Sequence, residues 1–157
     1  MDEKNITTAD SEATKEAQEL LRELHCVAGK KIITGQHTQT IPCEEIAYIR
    51  QTTGKEPKLR GFELLGYSPN INYADASPEY LPTDYADAYE KLVAATSRGK
   101  VAALAEVGYL PDVDLLQKSR IPWAYYMTWS KEFCIGEKYN SVKNLKKMYD
   151  SEYAVTL

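Results

Sequence analysis

A chain of 157 residues is one domain by the usual size range and long enough to bury a single core. Its 43% hydrophobic and 27% charged residues are the proportions of an ordinary globular protein, and the net charge of −4, with no basic stripe, excludes nucleic acid as the main partner. No apolar run reaches transmembrane length, so no membrane partner is expected.

The opening residues are polar and acidic, which predicts a flexible tail over 1–10 and a folded domain over 11–157. They do not read as a signal peptide; either the protein is intracellular or a leader has been removed, and the compartment stays open. Ala13, Ala17, Leu20, Leu21 and Leu24 then recur at helical spacing, with Asp10 or Ser11 as the cap and Gly29 as the stop. Lys31–Thr34 is a short buried-strand candidate ended by Gly35. Pro42, Glu44 and Glu45 suit the first turn of a second helix, where acids complement the helix dipole, and Gly54 terminates it. Leu59–Leu65 reads as the next strand, followed by a long loop, Gly66–Pro82, rich in Tyr, Asn, Pro and Ser.

Thr83 or Asp84 caps a third helix whose apolar stripe is Tyr85, Ala88, Tyr89, Leu92 and Val93, and Gly99 closes it. Val101–Leu104 is a strand that runs into Ala105, Glu106, Val107 and Gly108. Pro111 and Asp112 open a short helix through Leu115 and Leu116, and Trp123–Thr128 forms a further strand. Asn140 or Ser141 caps a last helix carrying Val142, Leu145, Met148 and Tyr149, and Ala154–Leu157 ends the chain in extended form. Cys26, Cys43 and Cys134 show no CxxC spacing, which argues against structural zinc; three reduced or buried thiols are expected, with no metal and no cofactor.

Strand and helix alternate, which predicts an α/β fold with a parallel sheet and helices outside. About four βα units are visible, whereas a complete (β/α) barrel has eight and typically ~250 residues. Several separated segments resemble glycoside hydrolase family 26, the β-mannanase type. GKKIITGQHT (29–38) is similar to that family's first strand and loop, and TGKEPKLRGFELLGYSPNINY (53–73) to its second. KVAALAEVGYLPDVDLL (100–116) resembles the seventh strand, IPWAYYMTWSKEF (121–133) the eighth, and the last eighteen residues the closing helix and tail. AEVG and YYMTW, in that order and at this spacing, are the specific part.

The resemblance implies a partial TIM-barrel-like fold with the middle of the barrel missing and a join near Ala76–Tyr80. Because the eighth strand of a closed barrel pairs with the first, the retained strands are expected in the order seventh, eighth, first, second. Such a sheet exposes two edges and an inner face, so closure by dimerisation or by a complementing fragment is expected. The implied activity is retaining hydrolysis of β-1,4-mannan or a related plant polysaccharide such as β-glucan, in a family that is usually secreted. Retaining glycosidases use two carboxyl groups about 5–5.5 Å apart. Glu106, at the C-terminal end of a barrel strand, is implied as the nucleophile. The acid/base His-Glu pair is absent: His25 precedes Cys26 and His37 precedes Thr38. Glu63, Asp75, Glu79 and Asp84 read as structural, loop or cap acids. Hydrolysis is therefore expected to be impaired, and a non-catalytic carbohydrate-binding module is the alternative.

For sugar contact the resemblance implies Trp129 as an aromatic platform; aromatic faces suit the CH-rich faces of pyranose rings. Trp123 and Tyr125 read as core. His37 is a candidate for bonding a sugar hydroxyl. Tyr126 is expected to alternate toward the barrel interior, Tyr67 and Tyr73 to line the cleft, and Tyr80 to be the remnant of a Tyr that orients the nucleophile.

Overall fold

The computed structural model describes residues 6–38, 42–62, 83–95 and 100–157. The Gly66–Pro82 loop, Tyr67, Tyr73, Tyr80, Glu63, Asp75, Glu79 and the closing Gly99 lie outside the described residues. In chain order the elements are α1 (Lys15–Val27), β1 (Ile32–Ile33), β2 (Gly35–Thr38), α2 (Glu44–Thr53), β3 (Leu59–Phe62), α3 (Ala86–Ala95), β4 (Ala102–Val107), α4 (Val113–Ser119), β5 (Trp123–Thr128), a 3-10 turn (Lys131–Phe133), α5 (Val142–Asp150) and β6 (Ala154–Val155).

Every ladder between these strands is parallel. β5 lies at the centre, flanked on one side by β4 and on the other by β1 and β2, which are consecutive pieces of one extended segment. Beyond that segment β3 pairs with β2, and β6 pairs with β1. The order β4, β5, β1/β2, β3 is the one expected for the seventh, eighth, first and second strands of a barrel. Among the described residues the sheet is open, with β4 at one edge and β3 and the short β6 at the other.

One face of the sheet is covered. Ile32, Ala102, Leu104, Val107, Trp123 and Tyr126 pack against Ile49 of α2, Val113 and Leu116 of α4, and Leu145, Met148 and Tyr149 of α5. Burial of these side chains supplies the main stabilisation, at ~1.5–3 kcal/mol for each large apolar group.

The local signals show where expectation and structure part. Thr14, not Asp10 or Ser11, caps α1, accepting the Ala17 N–H; the Asp10 carboxylate instead closes a small turn on the Glu12 N–H. Cys43 precedes α2 in the left-handed region at φ 53° and makes no side-chain cap bond. Gly35 does not end the first strand but opens its second piece. A Cβ there would sit 2.4 Å from the Tyr126 carbonyl oxygen and 2.8 Å from the Met127 sulfur, so the residue is glycine because β5 lies against it. Ser141 caps α5, accepting the Asn144 N–H, which leaves the Asn140 amide for another task. The predicted stripe of α3 is only partly used. Tyr89 meets Trp123 edge-on at 5.2 Å, while Leu92 and Val93 are 37% and 46% exposed.

Candidate functional site

The C-terminal ends of β4, β5 and β2 converge, and a bulge determines which side chains they present. Leu104 pairs with Tyr126 and Val107 with Thr128, so Ala105 and Glu106 together oppose the single residue Met127. Strict alternation would put Glu106 on the helix-packed face with Ala102 and Leu104. The extra residue turns it out of that face: Ala105 and Glu106 are both exposed, while Val107 returns to the core. Bulges of this kind commonly re-aim a side chain beside an active site.

A second irregularity lies one step earlier. Between the Ala102–Trp123 and Leu104–Tyr126 pairs, β5 uses two residues against one on β4. It places both Trp123 and Tyr126 on the helix side. Tyr126 is 0% exposed, and its hydroxyl lies toward that of Tyr149 without a well-formed hydrogen bond. Burial pushes the Tyr126 phenol well above its ordinary pKa, with Tyr149 and Cys134 adding to the effect. The expected inward alternation of Tyr126 is therefore corrected: the irregular pairing shifts the phase of β5, and the ring belongs to the core rather than to a sugar-facing surface. Trp123 is core as expected, its indole N–H donating to the Asp84 carbonyl at 3.0 Å.

His37 lies on the face opposite the helices. Its Nε2–H donates to the carbonyl of Ala105 at 3.0 Å, reaching across β5 to the residue immediately before Glu106. Gly61 on β3 makes room for it: a Cβ there would be 2.6 Å from His37 Nδ1 and 2.5 Å from the Met127 methyl. Trp129 follows β5 and is half-buried, its backbone N–H donating to the Val107 carbonyl at 2.9 Å. The structure thus brings the backbones carrying Glu106, His37 and Trp129 into one neighbourhood.

Trp129 also begins a run of aromatic contacts. Phe133 meets it edge-on at 4.9 Å, Tyr139 stacks on Phe133 at 4.3 Å, and Tyr109 meets Tyr139 at 5.8 Å.

Three buried polar side chains, which the sequence reading did not single out as site residues, fix these loops. The Gln36 amide nitrogen donates within 3.1 Å to the carbonyls of His37, Thr128 and Trp129, tying β2 to the end of β5. Glu45 was legible only as a helix first-turn acid. It is 1% exposed, and its carboxylate accepts the Thr38 hydroxyl at 2.7 Å and the Lys131 N–H at 2.9 Å. Asn140 accepts the Leu110 N–H at 2.8 Å and donates to the Gly108 and Phe133 carbonyls at 2.8 and 2.7 Å. The available signal for Asn140 was its place beside Ser141, since two cap-competent residues in succession leave one unspent.

Among the described residues, no group of three His, Cys, Asp or Glu side chains forms a metal site, and no helix is long and apolar enough to cross a membrane. The three cysteines are thiols outside any disulfide: Cys26 exposed, Cys43 intermediate and Cys134 buried. Burial, with the Glu45 charge as a smaller cause, pushes the Cys134 thiol up to about 12.

Comparison with known proteins agrees with this architecture. Residues 69–157 match the family model described as glycosyl hydrolase family 26. A mannan endo-1,4-β-mannosidase of Thermothelomyces thermophilus is 36% identical over 69 residues, which are 44% of this chain and 14% of that protein. This chain thus spans only a small part of that relative. The crystal structure of the Podospora anserina GH26-CBM35 β-(1,4)-mannanase superposes with a TM-score of 0.79 at 17% identity, over 97% of this chain and 68% of that one. A ruminal GH26 endo-β-1,4-mannanase gives 0.80 at 17%, over 99% and 71%. At such identities these two likenesses establish the fold.

Proposed function

We propose, because this chain belongs to glycosyl hydrolase family 26, that it is a β-1,4-mannan-recognising remnant of a retaining glycosidase, with Glu106 as nucleophile and weakened hydrolysis. The observation that carries the reading is the β4 bulge, which sets an exposed carboxylate at a strand tip beside the segments bearing His37 and Trp129. In a retaining mechanism the Glu106 carboxylate would attack the anomeric carbon as the glycosidic C–O bond breaks. A second carboxyl group would protonate the departing oxygen and then deprotonate the water that releases the sugar.

That second group is the weak point. The His-Glu pair is missing from the sequence. Glu45, though close to the β5 loop, is buried with both oxygens engaged and does not reach a sugar. Loss of general acid–base assistance costs ~10²–10⁴-fold in rate. Trp129 is proposed as the ring platform and His37 as a hydroxyl partner. Tyr67 and Tyr80 remain proposals for the cleft on the family resemblance alone. A second copy, or a complementing fragment, is proposed to cover the open β3 and β4 edges.

The second reading, a carbohydrate-binding module without turnover, is favoured by the same commitment of Glu45. Calorimetric titration with mannohexaose beside a reducing-sugar assay separates the two. Binding with slow release of reducing ends that disappears in Glu106→Gln supports the hydrolase remnant. Binding with no release, equal in both proteins, supports the module. No binding at all sinks the mannan reading. Sedimentation tests the closure, and a strictly monomeric, cooperatively melting species contradicts it.

A further inference from the structure

The loop after β4, which follows Glu106, and the loop after β5, which begins with Trp129, share no strand pairing beyond the Trp129–Val107 bond. Further out they meet through the Tyr109–Tyr139 ring contact and through the hydrogen bonds of Asn140. Asn140 is 4% exposed and engages three backbone groups at once. Its Oδ1 accepts the Leu110 N–H, and its Nδ2 donates one hydrogen to the Gly108 carbonyl and the other to the Phe133 carbonyl. Gly108 is two residues beyond Glu106. Phe133 is the residue whose ring meets Trp129 edge-on. The neighbouring Tyr139 stacks on that same Phe133 ring, so the 139–140 segment grips Phe133 by both its ring and its carbonyl.

The anchor is itself rigid. Ser141 spends its hydroxyl on capping α5, and α5 is held by buried Leu145, Met148 and Tyr149. Asn140 is therefore fixed from the helix layer and is not needed as the cap. A planar amide with an acceptor on one side and two donors on the other is the chemistry that can tie one N–H and two carbonyls; Asp keeps the shape but supplies no donor.

We propose that Asn140 is a positioning residue that sets the Trp129 platform relative to the Glu106 strand tip, an assignment that rests on the sugar-site reading above. The chain has two tryptophans, and they provide an internal control. Trp123 sits in the core, bonded to the Asp84 carbonyl, away from the clamp. Incorporation of 5-fluorotryptophan gives one fluorine resonance for each.

In Asn140→Asp the Trp129 resonance is expected to shift or broaden while that of Trp123 stays in place. The melt should remain cooperative, and affinity for mannohexaose should fall tenfold or more. Asn140→Ser, which retains one hydroxyl donor, should give a smaller displacement of the same resonance and serves if the Asp variant does not fold. Two unmoved resonances, or two that move together, overturn the proposal, because the side chain would then be idle or merely structural. Failure of the wild-type chain to bind mannohexaose would count against the sugar site itself, while the fluorine spectra would still decide whether Asn140 holds the two loops in register.

Discussion

The helices α2 and α5 and the helices α1 and α3 have similar helical patterns but different packing. α2 and α5 place Ile46, Ile49, Leu145, Met148 and Tyr149 in the core. α1 and α3 contain no buried residue, and Leu20, Leu92 and Val93 remain exposed. An apolar stripe at helical spacing is therefore a capacity to pack and not proof of packing; what decides is whether a sheet face or another helix stands opposite. The strand tips of the candidate site follow the better-packed side. Gln36, Glu45 and Asn140 pin the loops there, and the buried polar groups of these three side chains are matched by backbone or hydroxyl partners.

Substitution can break or sharpen this contrast. The largest effect is expected on the packed side. Met148→Ala should destabilise by ~2–5 kcal/mol in denaturant unfolding, because the side chain is 1% exposed and leaves a cavity. A loss below about 1 kcal/mol would show that α5 is not anchored as described.

Gly35→Ala tests the close approach of β5 to the first strand. The added methyl would meet the backbone oxygen of Tyr126, which cannot swing aside, and overpacking typically costs ~1–3 kcal/mol. Unchanged melting would refute the contact.

A smaller effect is expected at Asp112, which caps α4 through the Asp114 and Leu115 N–H groups and pairs with Lys147. Asp112→Ala should cost ~1 kcal/mol at neutral pH. Burial alone raises the Asp112 pKa, but the hydrogen bonds from Leu115, Lys147 and Asp114, with the Lys147 charge, leave it below its usual 3.8. A lowered acid stabilises the fold above its unfolded pKa and loses that contribution as pH falls through the folded value. The difference between wild type and Asp112→Ala should therefore shrink in acid below 3.8. A gap that persists in strong acid would assign the effect to something other than the carboxylate.

The smallest change belongs to the loose side. Val93→Ala should stay within ~0.5 kcal/mol, as for other exposed positions. A loss comparable to that of Met148→Ala would mean that α3 is covered in solution, by a second copy or otherwise, and would erase the contrast.

Much of the fold was legible because its signals are local. Pro111 and Asp112 opening α4, Gly54 ending α2 and the apolar run of β5 each act within a few residues. Glu106 was legible through the AEVG segment and its strand-end position. Its exposure depends on how β4 and β5 count residues against each other, which neither strand reveals by itself. Tyr126 failed for the same reason, since period-2 reasoning assumes regular pairing. Asn140 and Glu45 were read as local helix-terminus residues, and each bonds a backbone group far away in sequence.

By itself the amino-acid sequence determined the alternation of strand and helix, the family and the acid that stands at a strand tip, because propensity, capping and short motifs act between near neighbours. Tertiary structure alone decided which face each side chain occupies at the two irregular pairings. It also decided which polar groups became clamps and which apolar stripes were buried. Those outcomes depend on register and burial between segments that meet only after the chain has folded.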